Sequence, residues 1–412
     1  METPNPVRIQ VSDMTETGGE RTVVGIVSAS HFVNHTYLML VPAVIGAAAA
    51  TFHASLATIG LAVGLQGATM AACQLPFGYL ADARSRELVL GLCLGLGGLG
   101  ALIVALSPSV GWFFVGEAVL GVGIAGHHPA HYPMLGDAVD SERRGRAYSV
   151  HGFAGNVGFA VPFALAPAIV ALGGTWQTYV GVVAVAGLAF AVVAVVFVRL
   201  RVAARIRVAR GEVEGTLGDQ FRAMLGGLGD PAIVSLALFA GLAAGTSWAM
   251  RTYTASLLET VYGVPDARAS LLVSVMIGVG AFCILGGGVL ADRIPPGRIL
   301  VGGFIALAAF TVALVDHWLP AAIASVVVLG YYASISVTTP ARSKITDRLS
   351  ARGDVGKNFA LVTIGIAGGV TVAPPAFGYL MEGFGANVAF GGVTAGALAG
   401  AAVGALVWTR YA

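Results

Sequence analysis

Charge is what this sequence lacks. Only 44 of its 412 residues are Asp, Glu, Lys or Arg, or 11%, against roughly 25% in soluble domains. Hydrophobic residues make up 57% and the mean hydropathy is +0.83. No charged shell is available to clothe a soluble body of this size, so the composition places the chain in a lipid bilayer. Cysteine is also scarce. Cys73, Cys93 and Cys283 sit inside apolar runs and no CxxC pair occurs, which excludes a disulfide framework and a thiolate metal site. No GxxxxGK[ST] loop is present, which argues against an ATP-driven pump. No enzyme, no cofactor and no nucleic-acid partner is expected.

What is there in excess is glycine, 58 residues, about twice the usual share. Membrane helices use it for close approach, because lipid gives them no hydrophobic drive to associate. Apolar runs of spanning length recur at 23–50, 56–80, 88–107, 110–136, 147–171 and 177–198, and again at 231–258, 269–290, 299–315, 320–340, 358–381 and 386–409. The expected fold is all-α and integral to the membrane, with twelve transmembrane helices. Residues 1–22 read as a disordered cytoplasmic tail, 23–198 as one six-helix bundle, 199–230 as a cytoplasmic linker and 231–412 as a second six-helix bundle.

The cations set the orientation. With both termini in the cytoplasm of a cell whose plasma or inner membrane holds the chain, 21 of the 23 Lys and Arg fall on the inner side. Arg268 falls outside and Arg251 within a helix. An asymmetry this large supports both the helix count and the orientation. The linker's Arg199, Arg201, Arg205, Arg207 and Arg210 read as a stretch lying on the anionic inner leaflet.

The two halves repeat. Gly78-Tyr79-Leu80-Ala81-Asp82-Ala83-Arg84 ends the second run, and Gly288-Val289-Leu290-Ala291-Asp292-Arg293 ends the eighth, 210 residues later. Gly145-Arg146-Ala147-Tyr148 matches Gly356-Lys357-Asn358-Phe359 at an offset of 211. Two landmarks at nearly one offset indicate an internal duplication, a transporter architecture.

These residues resemble the major facilitator superfamily, whose loop after helix 2 reads roughly G-x-L-[AG]-D-[RK]-x-G-[RK]-[RK]. Gly78, Leu80, Ala81, Asp82 and Arg86 fit. Ala83 and Ser85 depart, and the second copy departs at Pro295-Pro296. A narrower resemblance is to the fosmidomycin-resistance type of efflux protein. It rests on Ser30-His31-Phe32-Val33-Asn34, His127-His128-Pro129 and Gly155-Asn156-Val157-Gly158, with His35 where that family has aspartate. The resemblance implies a central cavity lined by helices 1, 4, 7 and 10, alternating access and proton-coupled efflux. The glycines and prolines of helices 5 and 11 loosely resemble the antiporter motif of the efflux branch.

The duplicated loop carries gate candidates: Asp82, Arg86, Asp292 and Arg293. A helix N-terminus carries unpaired N–H groups and partial positive charge. Asp82 is expected to dock near Lys357 and Asn358, and Asp292 near Arg146, which would bridge the halves on the inner side. The bland alternative is a charged loop that merely stops at the interface.

Ionisable groups at membrane depth are costly, so each is a functional candidate. His31 and His35 share a face of helix 1, and His127 and His131 share a face of helix 4. With His128, His151 and Glu117 they form a candidate proton relay beside the cavity. Four imidazoles from two i, i+4 pairs also suit a divalent transition metal, although no carboxylate or thiolate is interleaved, and no metal is assigned. Ordinary hydrogen-bonded structural histidines are the third reading. Arg251, with Asn34, Trp248, Tyr253, Tyr331 and Tyr332, forms a candidate site for an anionic small molecule, since guanidinium holds carboxylates and phosphonates through paired N–H donors. The competing reading is an ion pair between Arg251 and Glu117 or Glu259.

The sequence therefore points to a monomeric secondary transporter, most simply a proton-coupled exporter of a small anionic or amphipathic, drug-like compound. An importer of an organic anion or a metal chelate is the alternative. A non-transporting receptor on the same scaffold would carry a soluble output domain, for which the central loop leaves no room.

Overall fold

A computed structural model describes residues 11–141, 143–208, 215–315, 318–349 and 355–411. The side chains at 11–18, 205, 223, 224, 227 and 355–360 fall outside that description. The described residues form helices and no strand. In chain order these are α1 (Val11–Leu38), α2 (Ile45–Phe52), α3 (Leu56–Ala83), α4 (Arg86–Ala105), α5 (Val110–Ala125), α6 (His127–Ala138), α7 (Arg144–Ala171) and α8 (Trp176–Arg201). Two short helices follow, α9 (Ala204–Arg207) and α10 (Leu217–Gly226). The chain then continues through α11 (Pro231–Tyr262), α12 (Asp266–Arg293), α13 (Pro296–Val315), α14 (Ala321–Ser336), α15 (Thr338–Leu349), α16 (Val355–Phe384) and α17 (Ala386–Arg410).

Eleven segments are long and apolar enough to cross a membrane, counting α5 with α6 and α14 with α15 as one each. A twelfth arises if α1 and the segment Pro42–Phe52, bent by 43°, form one span. The bend follows from Pro42, which has no N–H to continue the ladder. Of the expected tail, 1–10 lie outside the described residues, and from Val11 the chain is already helical. Side-chain caps start several helices. The Oγ atoms of Ser55 and Ser85 accept from the N–H groups of Thr58 and Leu88, and Thr175 forms a capping box with Thr178.

The breaks reveal a third mark of duplication. The fourth span divides at Gly126 and the tenth at Val337, each followed three residues on by a proline, Pro129 or Pro340, again 211 residues apart. The sequence predicts an interruption of the fourth span at Pro129 and Pro133. The structure sets the break at Gly126, just ahead of Pro129, and keeps Pro133 inside α6. The continuous helix expected at 320–340 is corrected at Val337. In each case a proline follows the break and withholds one backbone donor from it.

Glycine sets the packing distance. A Cβ at Gly123 would lie 2.2 Å from the Gly97 nitrogen, and one at Gly100 would lie 2.4 Å from that of Leu120, so α4 and α5 pack backbone on backbone. At Gly121 the intruding group is the Gln66 carbonyl of α3, at 2.3 Å. The Tyr37 ring fills the notch left by Gly97, Gly98 and Gly187.

The two halves of the sequence meet along α3 with α16 and along α7 with α12. The tight contacts lie at the α3 start, where Cβ atoms at Gly60 and Gly64 would strike the carbonyls of Pro374 and Thr371 at 2.5 and 2.4 Å. Ser270 and Ser274 donate to the carbonyls of Phe163 and Ala160 at 2.8 and 2.9 Å. Both seams lie away from the ends of α3 and α12 that carry Asp82 and Asp292. The duplicated loops thus occupy the arginine-rich face, and the closest approach of the halves occurs toward the other face.

Replacing Gly123 with Val inserts three carbons where the α4 backbone already lies. The expected cost is about 1–3 kcal/mol of overpacking. It is read as a lowered melting temperature of the purified chain in detergent. A Val at exposed Gly46, which has open space around it, serves as the control and leaves the melt unchanged.

Candidate functional site

Six of the eight histidines gather in one place. His31 and His35 come from α1, His127, His128 and His131 from α6, and His151 from α7. The break at Gly126 makes this possible, because it starts α6 at His127 and sets its first turn against α1 and α7. His31 is the hub. Its ring centroid lies 4.0 Å from that of His151, 4.1 Å from His35, 4.4 Å from His127 and 5.4 Å from His128. Its ring also rests on Gly155, where a Cβ would come within 2.5 Å.

The hydrogen bonds inside the cluster are few. His31 Nδ1 donates to the His151 carbonyl at 2.8 Å, since a carbonyl only accepts. His31 Nε2 lies 3.0 Å from His35 Nε2, and His131 Nδ1 lies 3.2 Å from His127 Nε2. Both nitrogens of His151, together with His35 Nδ1, His128 Nδ1 and His131 Nε2, are buried without a partner. His31, His127, His131 and His151 are buried, while His35 and His128 are half-exposed. Glu117 lies elsewhere on α5. It is fully buried, and neither carboxyl oxygen has a partner.

Arg251 occupies the boundary between the halves. Its Nε donates to the Tyr332 hydroxyl at 2.6 Å. Its guanidinium carbon stands 4.4 Å from the centroid of Phe159 on α7, and the His35 ring stacks on Phe159 at 3.9 Å. One aromatic ring therefore separates the histidine cluster from the arginine. Among the described residues no carboxylate comes within 4.0 Å of Arg251, so neither Glu117 nor Glu259 pairs with it.

The other residues expected around Arg251 are engaged elsewhere. Tyr253 donates to the Pro374 carbonyl at 2.6 Å and ties α11 to α16. The Tyr331 hydroxyl is bonded to Thr254, Asn34 reaches the Ile124 carbonyl at 3.5 Å, and Trp248 is buried in the core. Of that set, the structure brings only Tyr332 to Arg251.

On the arginine-rich face each loop is tied within its own half. Arg86 pairs with Asp137 at 2.7 Å, and Asp292 with Lys344 at 2.8 Å. Asp82 and Arg293 are exposed. The expected Asp82 partners, the side chains of Lys357 and Asn358, lie outside the described residues. Glu87 pairs with Arg199 and with Arg207, the latter at 2.9 Å, which fastens the start of the linker to α4. Arg199 and Arg207 thus serve a protein contact. A groove of ≈ 490 Å³ at Val264, Arg268, Leu272 and Ser325 touches none of these groups.

Comparison with known proteins decides the family. The model of the Major Facilitator Superfamily matches residues 27–330 and 236–412. The chain belongs to the Major Facilitator Superfamily. Among its relatives, the inner membrane transport protein YajR of Escherichia coli (strain K12) is 30% identical over 162 residues, 39% of this chain and 35% of that one. An uncharacterized transporter of Buchnera aphidicola subsp. Schizaphis graminum (strain Sg) is 36% identical over 112 residues, 27% of this chain and 28% of that one. The matched stretch spans about a third of the length of these curated relatives. A bacterial homolog of the human lysosomal transporter Spinster, solved in an inward-facing conformation, superposes with a TM-score of 0.77 at 17% identity, over 95% of this chain and 97% of that one. A mutant of the nucleoside transporter NupG gives 0.76 at 12% identity, over 95% and 100%. This member of the superfamily is therefore a multi-pass protein of a cell membrane, with the all-helical fold of its relatives. Such proteins are generally not enzymes.

Sequence reasoning missed Phe159, because an aromatic in an apolar helix reads as packing. A ring between two groups of opposite halves has an energetic signature. A double-mutant cycle of Phe159→Leu and Arg251→Met is expected to give a coupling of about 0.5–2 kcal/mol, measured by unfolding in mixed micelles. Additive losses would show that the ring and the guanidinium do not interact.

Proposed function

We propose that the protein is a proton-coupled exporter of a small anionic or amphipathic compound, of the phosphonate type that fosmidomycin represents. The observation that carries this reading is Arg251. A guanidinium at membrane depth, at the seam of the halves and without a carboxylate among the described residues, is a cation waiting for an anion. Tyr332 fixes its Nε edge, which leaves the remaining N–H donors for the ligand.

The chain works as two six-helix bundles, 23–198 and 231–412, joined by the linker, with twelve spans and both termini in the cytoplasm. The positive-inside count supports that orientation. The arginine-rich face is then the cytoplasmic face, and the seam at Gly60, Gly64, Ser270 and Ser274 closes the outer side. That arrangement is an inward-facing one, in keeping with the solved Spinster homolog. The duplicated loops act as the inner gate in the opposite state, when Asp82 and Asp292 reach the starts of α16 and α7.

Glu117 carries the coupled proton. It is the one carboxyl in the middle of a span among the described residues, and a proton is the only counter-charge within reach of its two oxygens. The monomer suffices for this cycle, since both halves of the site lie in one chain.

Proteoliposomes with an imposed pH gradient and labelled fosmidomycin as probe test the reading. Arg251→Lys is expected to lower transport at least tenfold, because a point charge does not replace the paired donors. Glu117→Gln is expected to abolish gradient-driven movement while leaving exchange of probe for probe. Transport by Arg251→Lys at the parent rate, or no probe-linked proton movement in the parent chain, would overturn the proposal.

A separate measurement addresses the gate. Asp82→Asn is expected to slow transport severalfold while insertion and melting temperature stay as in the parent. An unchanged rate in correctly inserted protein removes the gate from the mechanism.

A further inference from the structure

The proposed cycle leaves the histidine cluster without a task. We infer that it is a binding site for one divalent transition-metal ion, with His31, His127, His128 and His151 as ligands. This inference is independent of the anion reading. It rests on other residues, all in the first half of the chain, and holds whichever way the transporter runs.

Convergence is the first argument. One nitrogen from each of these four residues lies within 4.8 Å of the others. A tetrahedral ion with Zn–N bonds of about 2.0–2.1 Å asks for nitrogens about 3.4 Å apart. Side-chain rotations that close each gap by an ångström or so reach that geometry. The four residues come from three helices, so the cluster is a pocket built by the fold and not a stripe along one helix.

The second argument is the state of the nitrogens. His31 Nδ1 donates to the His151 carbonyl at 2.8 Å, which leaves Nε2 of the neutral ring as an acceptor, 3.0 Å from His35 Nε2, whose hydrogen bond a bound ion would replace. A carbonyl on the far nitrogen is the arrangement that orients metal-binding histidines generally. Both nitrogens of His151 and Nδ1 of His128 are buried without a well-formed hydrogen bond, and His151 is 0% exposed. Buried imidazole nitrogens without partners are costly, and a metal ion satisfies one from each ring.

The donor set selects the ion. Imidazole alone, with no carboxylate or thiolate in the group, suits Zn²⁺, Ni²⁺, Co²⁺ and Cu²⁺ and does not suit Mg²⁺ or Ca²⁺. His128, half-exposed, marks the entry. The sequence alone also admits a proton relay through these residues. A relay is served by a line of donor–acceptor pairs. The observed arrangement is a hub, in which four rings surround His31 and five buried ring nitrogens of the cluster lack a well-formed hydrogen bond.

The test uses the full chain, purified in detergent without a polyhistidine tag and stripped with a chelator. Titration with Co²⁺ is followed by visible absorption and by metal content after desalting. One Co²⁺ per chain, with the intense bands of a tetrahedral site and displacement by Zn²⁺, is the expected result. His127→Gln and His151→Gln should each weaken binding at least tenfold. Gly155→Ala keeps all four ligands but sets a Cβ 2.5 Å from the His31 ring, and it should weaken binding severalfold. His53→Asn, outside the cluster, should bind as the parent does. A monodisperse parent chain that retains no Co²⁺, or variants that retain as much as the parent, would overturn the site. If a variant does not fold, X-ray absorption of the Zn²⁺-loaded parent still decides. Four imidazole nitrogens support the assignment, and a shell containing sulfur or only oxygen refutes it.

Discussion

A bilayer interior supplies no water to hydrogen-bond with, and no hydrophobic force to press helices together. Everything in this structure answers to that pair of conditions. Cohesion comes from contact at backbone distance, so glycine is placed where helices touch. The α4–α5 pair approaches through Gly97, Gly100 and Gly123, and Tyr37 fills the one notch where three glycines face it. Polar groups at depth are few for the same reason. Each that is present either finds a protein partner, as Tyr253 does at the Pro374 carbonyl, or stands out by lacking one.

The groups that stand out are divided between the halves. The first half holds the histidines and Glu117, and the second holds Arg251. Phe159 lies between them, stacked by His35 on one side and by the guanidinium on the other. Anything that displaces the arginine from that ring also changes what the His35 side rests against. The two chemistries are thus neighbours without sharing a polar bond.

Much of the fold was legible because membrane helices announce themselves by length and by the side on which their arginines fall. The duplication was legible from Asp82 and Asp292, and the gathering of histidines from i, i+4 spacing. An interruption of the fourth span was legible from Pro129, but its place at Gly126 was not. The break at Val337 was not legible at all, since Pro340 at the end of an apolar run is compatible with a kink or a stop. Partner choice was less legible still. Tyr253 and Tyr331 read as cavity residues, yet their hydroxyls hold helices together, because spacing gives the face of a helix and not what that face meets. Lys344 as the partner of Asp292 depends on how α15 continues past the break, which no local pattern encodes.

The seam between α3 and α16 has no teeth. Gly60 and Gly64 offer a bare track to the carbonyls of Pro374 and Thr371, and the Val370 methyl reaches into it at Gly67. Interdigitating side chains would have to change rotamer to let such a surface part. Two smooth backbones lose their many small attractions together over a fraction of an ångström. The seam is therefore short-ranged and brittle, like a magnet on a steel plate, and favours a closed or a parted arrangement over anything between them.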